Sequence, residues 1–117
     1  MDDTLEMKQE ELLQVAMQII MHAGDARLRI NEALKAAKVF DFEQADSKMK
    51  EAVDEITEAH RAQTKVIQRE AGGDAYPYTL IFTHAQDTIM TINSEVRLAE
   101  EMIDILKLLE ERTRQVK

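Results

Sequence analysis

LLQVAMQIIMHAGDARLRINEALKAA, residues 12–37, decides the fold class. Its residues Leu12, Ala16, Ile19, Ala23, Ala26, Ile30, Ala33 and Ala37 recur at steps of four and three. That alternation puts them on one face of an α-helix and is the seam of a helix packed nearly parallel or antiparallel to another. Two further segments carry the same period. One runs Phe42, Ala45, Met49, Ala52, Ile56, Ala59, Gln63 and Val66, and the other Ala85, Ile89, Ile92, Val96, Ala99, Ile103 and Leu106.

Two breaks separate the three segments. In VFDFEQ (residues 39–44), Asp41 caps a new helix and Gln44, three residues on, completes a capping box. In AGGDAYPY (residues 71–78), Gly72 or Gly73 supplies a left-handed C-cap and Pro77 restarts the chain ahead of the third helix. Helices of about 30 residues are each about 45 Å long, and short connections make them run up, down and up. The expected fold is all-α, an antiparallel three-helix bundle formed as one domain by residues 1–117, with residues 1–11 a candidate disordered lead.

Composition agrees: three Gly, one Pro and 4% aromatics in 117 residues favour helix nearly throughout. The absence of Cys removes disulfides, thiolate nucleophiles and zinc–cysteine sites. A net charge of −8 speaks against nucleic acid as a partner, because a phosphate backbone needs a cationic surface. No run of about 18 apolar residues exists, and the opening MDDTLEMKQEE is acidic where a signal peptide would be cationic. The cytoplasm is the expected location.

The third segment carries a second stripe, about a quarter-turn from its seam: Leu80, His84, Asp87, Thr91, Ser94, Leu98, Met102, Ile105 and Leu109. A three-helix monomer needs one buried face per helix, so a second stripe implies a second partner, most economically another copy of the chain. Around a symmetry axis every stripe residue meets its own image. Asp87 carboxylates gathered there must share protons, stay hydrated or bind a cation, and a hard divalent ion such as Mg²⁺ suits oxygen ligands. The plainer alternative seats Asp87 at a rim, paired with a Lys or Arg. Small residues in the middle of the first helix (Ala23, Gly24, Ala26) read as tight packing. His60 reads as packing at the edge of an apolar face, and His22 as structural. No Glu precedes any histidine by three residues, so the ligand pattern of di-iron bundles is absent.

PYTLIFTHAQDTIMT (residues 77–91), HAGDARLRINEALKAA (22–37), FDFEQAD (40–46) and EAHRAQTKVI (58–67) together resemble the IIA component of the lactose and cellobiose class of the bacterial phosphoenolpyruvate-dependent sugar phosphotransferase system (PTS). The resemblance runs from about Leu12 to about Leu109, and its most specific element is His-Ala-Gln-Asp followed by Met-Thr. It implies that His84 is phosphorylated by the phosphocarrier protein HPr and passes the group to a cysteine of a IIB component. The membrane IIC permease would be reached only through IIB. It also implies a homotrimer, with Asp87 from each copy gathered near the axis at a metal ion, and a β-linked disaccharide as the transported sugar. Gln86 matches the pattern and, like Thr83, is a candidate hydrogen-bond donor to the phosphoryl group, with solvation on its different helical face the alternative for Gln86. Thr88 departs from it, standing where a second histidine is usual.

The chemistry suits these residue types. Neutral imidazole is a nucleophile near neutral pH and forms an N-phosphoryl intermediate that a thiolate can attack. Transfer asks chiefly for positioning and charge stabilisation, so a carrier can present a bare histidine and let its partners complete the site. Two other readings compete. One is a noncatalytic helical adaptor that uses the second stripe to bind a partner helix, and the other a metal-dependent enzyme with His84 and Asp87 as ligands.

Overall fold

A computed structural model describes residues 3–116 as three helices: α1 (Asp3–Lys38), α2 (Phe42–Ala71) and α3 (Leu80–Val116). Short connections turn α2 against α1 and bring α3 back parallel to α1, giving a rod of 74 × 21 × 18 Å. Every seam residue expected on α1 is buried. On α2 and α3 the seams are buried too, except that Phe42, Gln63 and Leu106 at the edges are half-covered. Phe82 joins the core at the start of α3. Five of the eight α1 seam positions are alanine, which lets the neighbouring backbones close in. Consistent with that, α1 packs against both other helices more extensively than they pack against each other.

Both turns end their helices in the same way. At the end of α2, Gly73 adopts φ 100°, and the N–H groups of Gly73 and Asp74 donate to the carbonyls of Glu70 and Arg69. This is the Schellman pattern, with glycine where the left-handed conformation requires it. At the end of α1 the same two bonds form from Phe40 to Ala37 and from Asp41 to Ala36, but the left-handed position (φ 60°) is held by Phe40. Asp41 then caps α2 by accepting from the Gln44 N–H. Its own N–H is taken by Ala36, so the reciprocal half of the expected capping box is not made.

A phenylalanine in the left-handed region is strained by roughly 1 kcal/mol or more. Phe40 is half-exposed and its ring lies beside that of Phe42, with centroids 5.9 Å apart. Phe40→Gly is therefore expected to raise the thermal midpoint by a few degrees, read by circular dichroism. A lowered midpoint would mean that the two-ring contact outweighs the backbone strain.

The start of the chain differs from the expectation of a disordered lead. Helix α1 begins at Asp3, while Met1 and Asp2 lie outside the described residues. Side chains anchor these first turns to the α2–α3 connection. Lys8 bonds Asp74 and the Ala75 carbonyl and lies 5.4 Å from the centre of the Tyr76 ring, and Glu11 accepts from Arg69 and the Tyr76 hydroxyl. Contacts 58 to 68 residues apart in sequence leave no local signature.

Ion pairs set the relative heights of the helices. Arg27 makes a bidentate pair with Glu95 across α1 and α3, 68 residues apart, at 2.9 and 2.7 Å. Lys107 of α3 holds both oxygens of Asp46 of α2 at 2.9 Å. Between α1 and α2, Lys48 bridges Glu32 and Glu51; Lys48, with Arg29 behind it, holds the Glu32 carboxyl below its ordinary range.

Candidate functional site

His84 lies in the second turn of α3, whose start is fixed by Thr79: its hydroxyl oxygen accepts the Phe82 N–H at 3.3 Å, an N-cap bond. His84 is exposed, and its ring makes no hydrogen bond or ion pair among the described residues. The whole second stripe, from Leu80 through His84 and Asp87 to Leu109, is exposed in the single chain. Glu95, on the same side of α3, pairs with Arg27, so this side borders α1. Carrying the 68-residue offset of that pair along the parallel helices puts His84 level with Ala16 and Met17.

Asp87 stands one turn along from His84, also exposed, and makes no ion pair within the described chain, so the rim pairing with a Lys or Arg is not made there. Among the described residues no three His, Asp or Glu side chains converge on a common point. One chain therefore supplies a single carboxylate at this position. As a hard, exposed oxygen donor it fits a divalent cation only if further copies contribute theirs.

Gln86 is two residues beyond His84 and so about 200° round the helix. It points to the α2 side, half-buried, in a 260 Å³ groove with Thr83, Phe82, Tyr76, Val66 and Glu70. Gln86 and Thr83 are thus together, but on a different face from His84 of the same chain. Three hydroxyls along this stretch donate to the carbonyl one turn back: Thr83 to Thr79, Thr88 to His84 and Thr91 to Asp87, at 3.2, 2.8 and 2.9 Å. The Thr88 hydroxyl is therefore engaged by the backbone of the residue whose ring a second histidine would have adjoined.

The other histidines divide. His22 is structural, with Nδ1 2.7 Å from Glu55 across α1 and α2. His60 is exposed on α2 beside Thr57, Arg61 and Thr64, so it is not the packing residue its position suggested. The small residues of α1 divide as well. Ala23 and Ala26 are fully buried, whereas Gly24 is exposed and a Cβ there would meet nothing within 4 Å, so packing within the chain does not require it.

A second exposed apolar row on α1, Leu13, Met17, Met21 and Leu28, completes the face shared with α3. A signal for it was present in the sequence, since these residues flank the α1 seam, but only the pairing of the helices shows that they border the α3 stripe. No described helix is long and apolar enough to cross a membrane.

A family model described as PTS system, lactose/cellobiose specific IIA subunit, matches residues 14–107. The lichenan-specific phosphotransferase enzyme IIA component of Bacillus subtilis is 40% identical over 102 residues, 87% of this chain and 93% of that protein. Among solved structures, the cellobiose-specific enzyme IIA from Bacillus anthracis aligns with a TM-score of 0.81 and 39% identity, covering 86% of this chain and 92% of that one. The IIA(chitobiose)–HPr complex of Escherichia coli aligns with a TM-score of 0.75 and 35% identity over 85% of this chain and 96% of the other.

Proposed function

Since the chain belongs to the lactose/cellobiose-specific IIA family of sugar phosphotransferase systems, we propose that His84 takes the phosphoryl group from phospho-HPr and hands it to a cysteine of a IIB component. Membership makes the chain a phosphocarrier of such a system. The observation that carries the assignment to His84 is its presentation: an exposed imidazole without a partner, on a capped helix, inside the His-Ala-Gln-Asp run. A ring nitrogen of His84 attacks phosphorus as the P–N bond to the HPr histidine breaks. The IIB thiolate later attacks the same phosphorus, and the P–N bond to His84 gives way to a P–S bond. The chain contributes a nucleophile on a rigid helix, with the ring free to turn toward each partner in succession.

An HPr complex of a structural relative supports HPr as the donor. The IIB acceptor, the cytoplasmic location and a β-linked disaccharide delivered through a IIC permease follow from family likeness, and the chain itself need never touch the sugar. The test is to incubate the protein with phosphoenolpyruvate, enzyme I and HPr, then map any acid-labile phosphoryl group by mass spectrometry. One group on His84 is the expected result; a group on His22 or His60, or none with an active donor, would reject the assignment.

The working assembly is a homotrimer with the exposed stripe of α3 around its axis. Its support is the exposed row from Leu98 to Leu109, with relative exposures of 50–59% at Leu98, Met102, Ile105 and Leu109, too much contiguous apolar surface for a free face. There each copy contributes Asp87, and three carboxylates would hold Mg²⁺ or a similar divalent ion, whose charge offsets their repulsion. Asp87→Leu replaces that repulsion with packing, so it is expected to stay trimeric in light scattering and to become insensitive to EDTA. Monomer alone would reject the axial placement of Asp87.

A further inference from the structure

At the end of the molecule away from His84, α1 and α3 enclose an open apolar groove of about 580 Å³, walled by Leu34, Met102, Ile105 and Leu106. Lys35 and Lys38 stand on its rim, and neither has an ion-pair partner among the described residues. On the other flank of α3, Glu101 and Asp104 are exposed and equally without partners among the described residues, beside the exposed Leu108. Lys107, which pairs with Asp46 of α2, marks that flank as the α2 side.

We propose that in the assembly Leu108 of one copy seats in the α1–α3 groove of the next, with Lys35 and Lys38 facing the neighbour's Glu101 and Asp104. The inference rests on the trimeric reading and specifies its lateral contacts. In a closed ring with α3 nearest the axis, the α1 flank of each copy meets the α2 flank of its neighbour. Rotation about an axis parallel to α3 leaves heights unchanged. The 68-residue offset of Arg27 and Glu95 puts Lys35 and Lys38 level with residues 103 and 106 of α3. Glu101 and Asp104 each stand two residues from those levels, about 3 Å. The signs are complementary, and Leu108, one turn beyond Asp104, stands about 3 Å past the Lys38 end of the groove with its side chain leaning back toward it. Leu108 also lies just outside the residues matched by the family model, so this contact is not implied by membership.

Charge reversal tests it. Lys35→Glu with Lys38→Glu is expected to raise the concentration at which trimers dissociate by at least about tenfold at low salt, measured by sedimentation. Adding Glu101→Lys and Asp104→Lys should bring it back to within about threefold of the parent. Because the chain lacks cysteine, Lys38→Cys with Leu108→Cys, two residues apart in height, gives a second readout: oxidation should produce covalent trimers on a non-reducing gel. A fourfold variant no better than the double one, or disulfides formed only within a chain, would overturn the lateral contact while leaving the trimer standing. A parent protein that sediments only as monomer would overturn the trimeric reading and the contact with it.

Discussion

His84→Gln is expected to accept no phosphoryl group from phospho-HPr and to keep the parent's thermal midpoint. Loss is complete because glutamine offers an amide nitrogen whose lone pair is delocalised, so no covalent intermediate forms. Stability survives because the ring it replaces has no hydrogen bond or ion pair and is exposed; changes at such sites are usually within about 0.5 kcal/mol. The comparison separates the phosphocarrier from its rivals. An adaptor that binds through the stripe would keep its partner in the variant, and a metal enzyme with His84 as a ligand would lose metal. Full phosphorylation of His84→Gln would sink the assignment, and unfolding would contradict the unpartnered geometry of the ring.

Thr88 bears on the rate of the same step. Where the family pattern has a second histidine, this chain has a hydroxyl already donating to the His84 carbonyl at 2.8 Å. Whatever support a second ring would give is absent here. Gln86 and Thr83 face the α2 side and cannot replace it within one chain. On the proposed assignment, transfer would rely on the partners and, in a trimer, on what a neighbouring copy brings to the boundary.

The helical seams could be read because burial repeats every three to four residues, and each seam position from Leu12 to Ala37 is buried as the period requires. The capping role of Asp41 was equally local. What could not be read depended on contacts between distant residues. Lys8 and Glu11 order the first turns of α1 through Asp74, Arg69 and Tyr76, so a run that looks like a polar lead is helix. Phe40 occupies a left-handed position that a sequence reader assigns to glycine. Gln86 shares a tetrapeptide with His84 yet faces away from it, since two residues along a helix are nearly opposite. Helical geometry alone exposes that conflict, and the alternative it leaves open for Gln86, a place away from the phosphoryl group, is the one found.

The largest effect on assembly is expected at Leu98. Its side chain is 59% exposed in the single chain, one turn ahead of Met102 on the apolar half of the stripe. In a monomer, Leu98→Glu exchanges one good helix former for another and leaves the bundle intact. In a trimer the exchange acts three times about the axis. Each copy loses roughly 2 kcal/mol of leucine burial, and three like charges are brought together with little water to screen them. The variant should therefore be monomeric at micromolar concentration in light scattering while its helical circular dichroism is unchanged. Asp87→Leu, one end of the stripe made apolar, should do the reverse and hold the trimer. The pair fixes direction as well as magnitude: if Leu98→Glu stays trimeric, the stripe is not the axial surface, and Asp87 loses its place beside a shared cation.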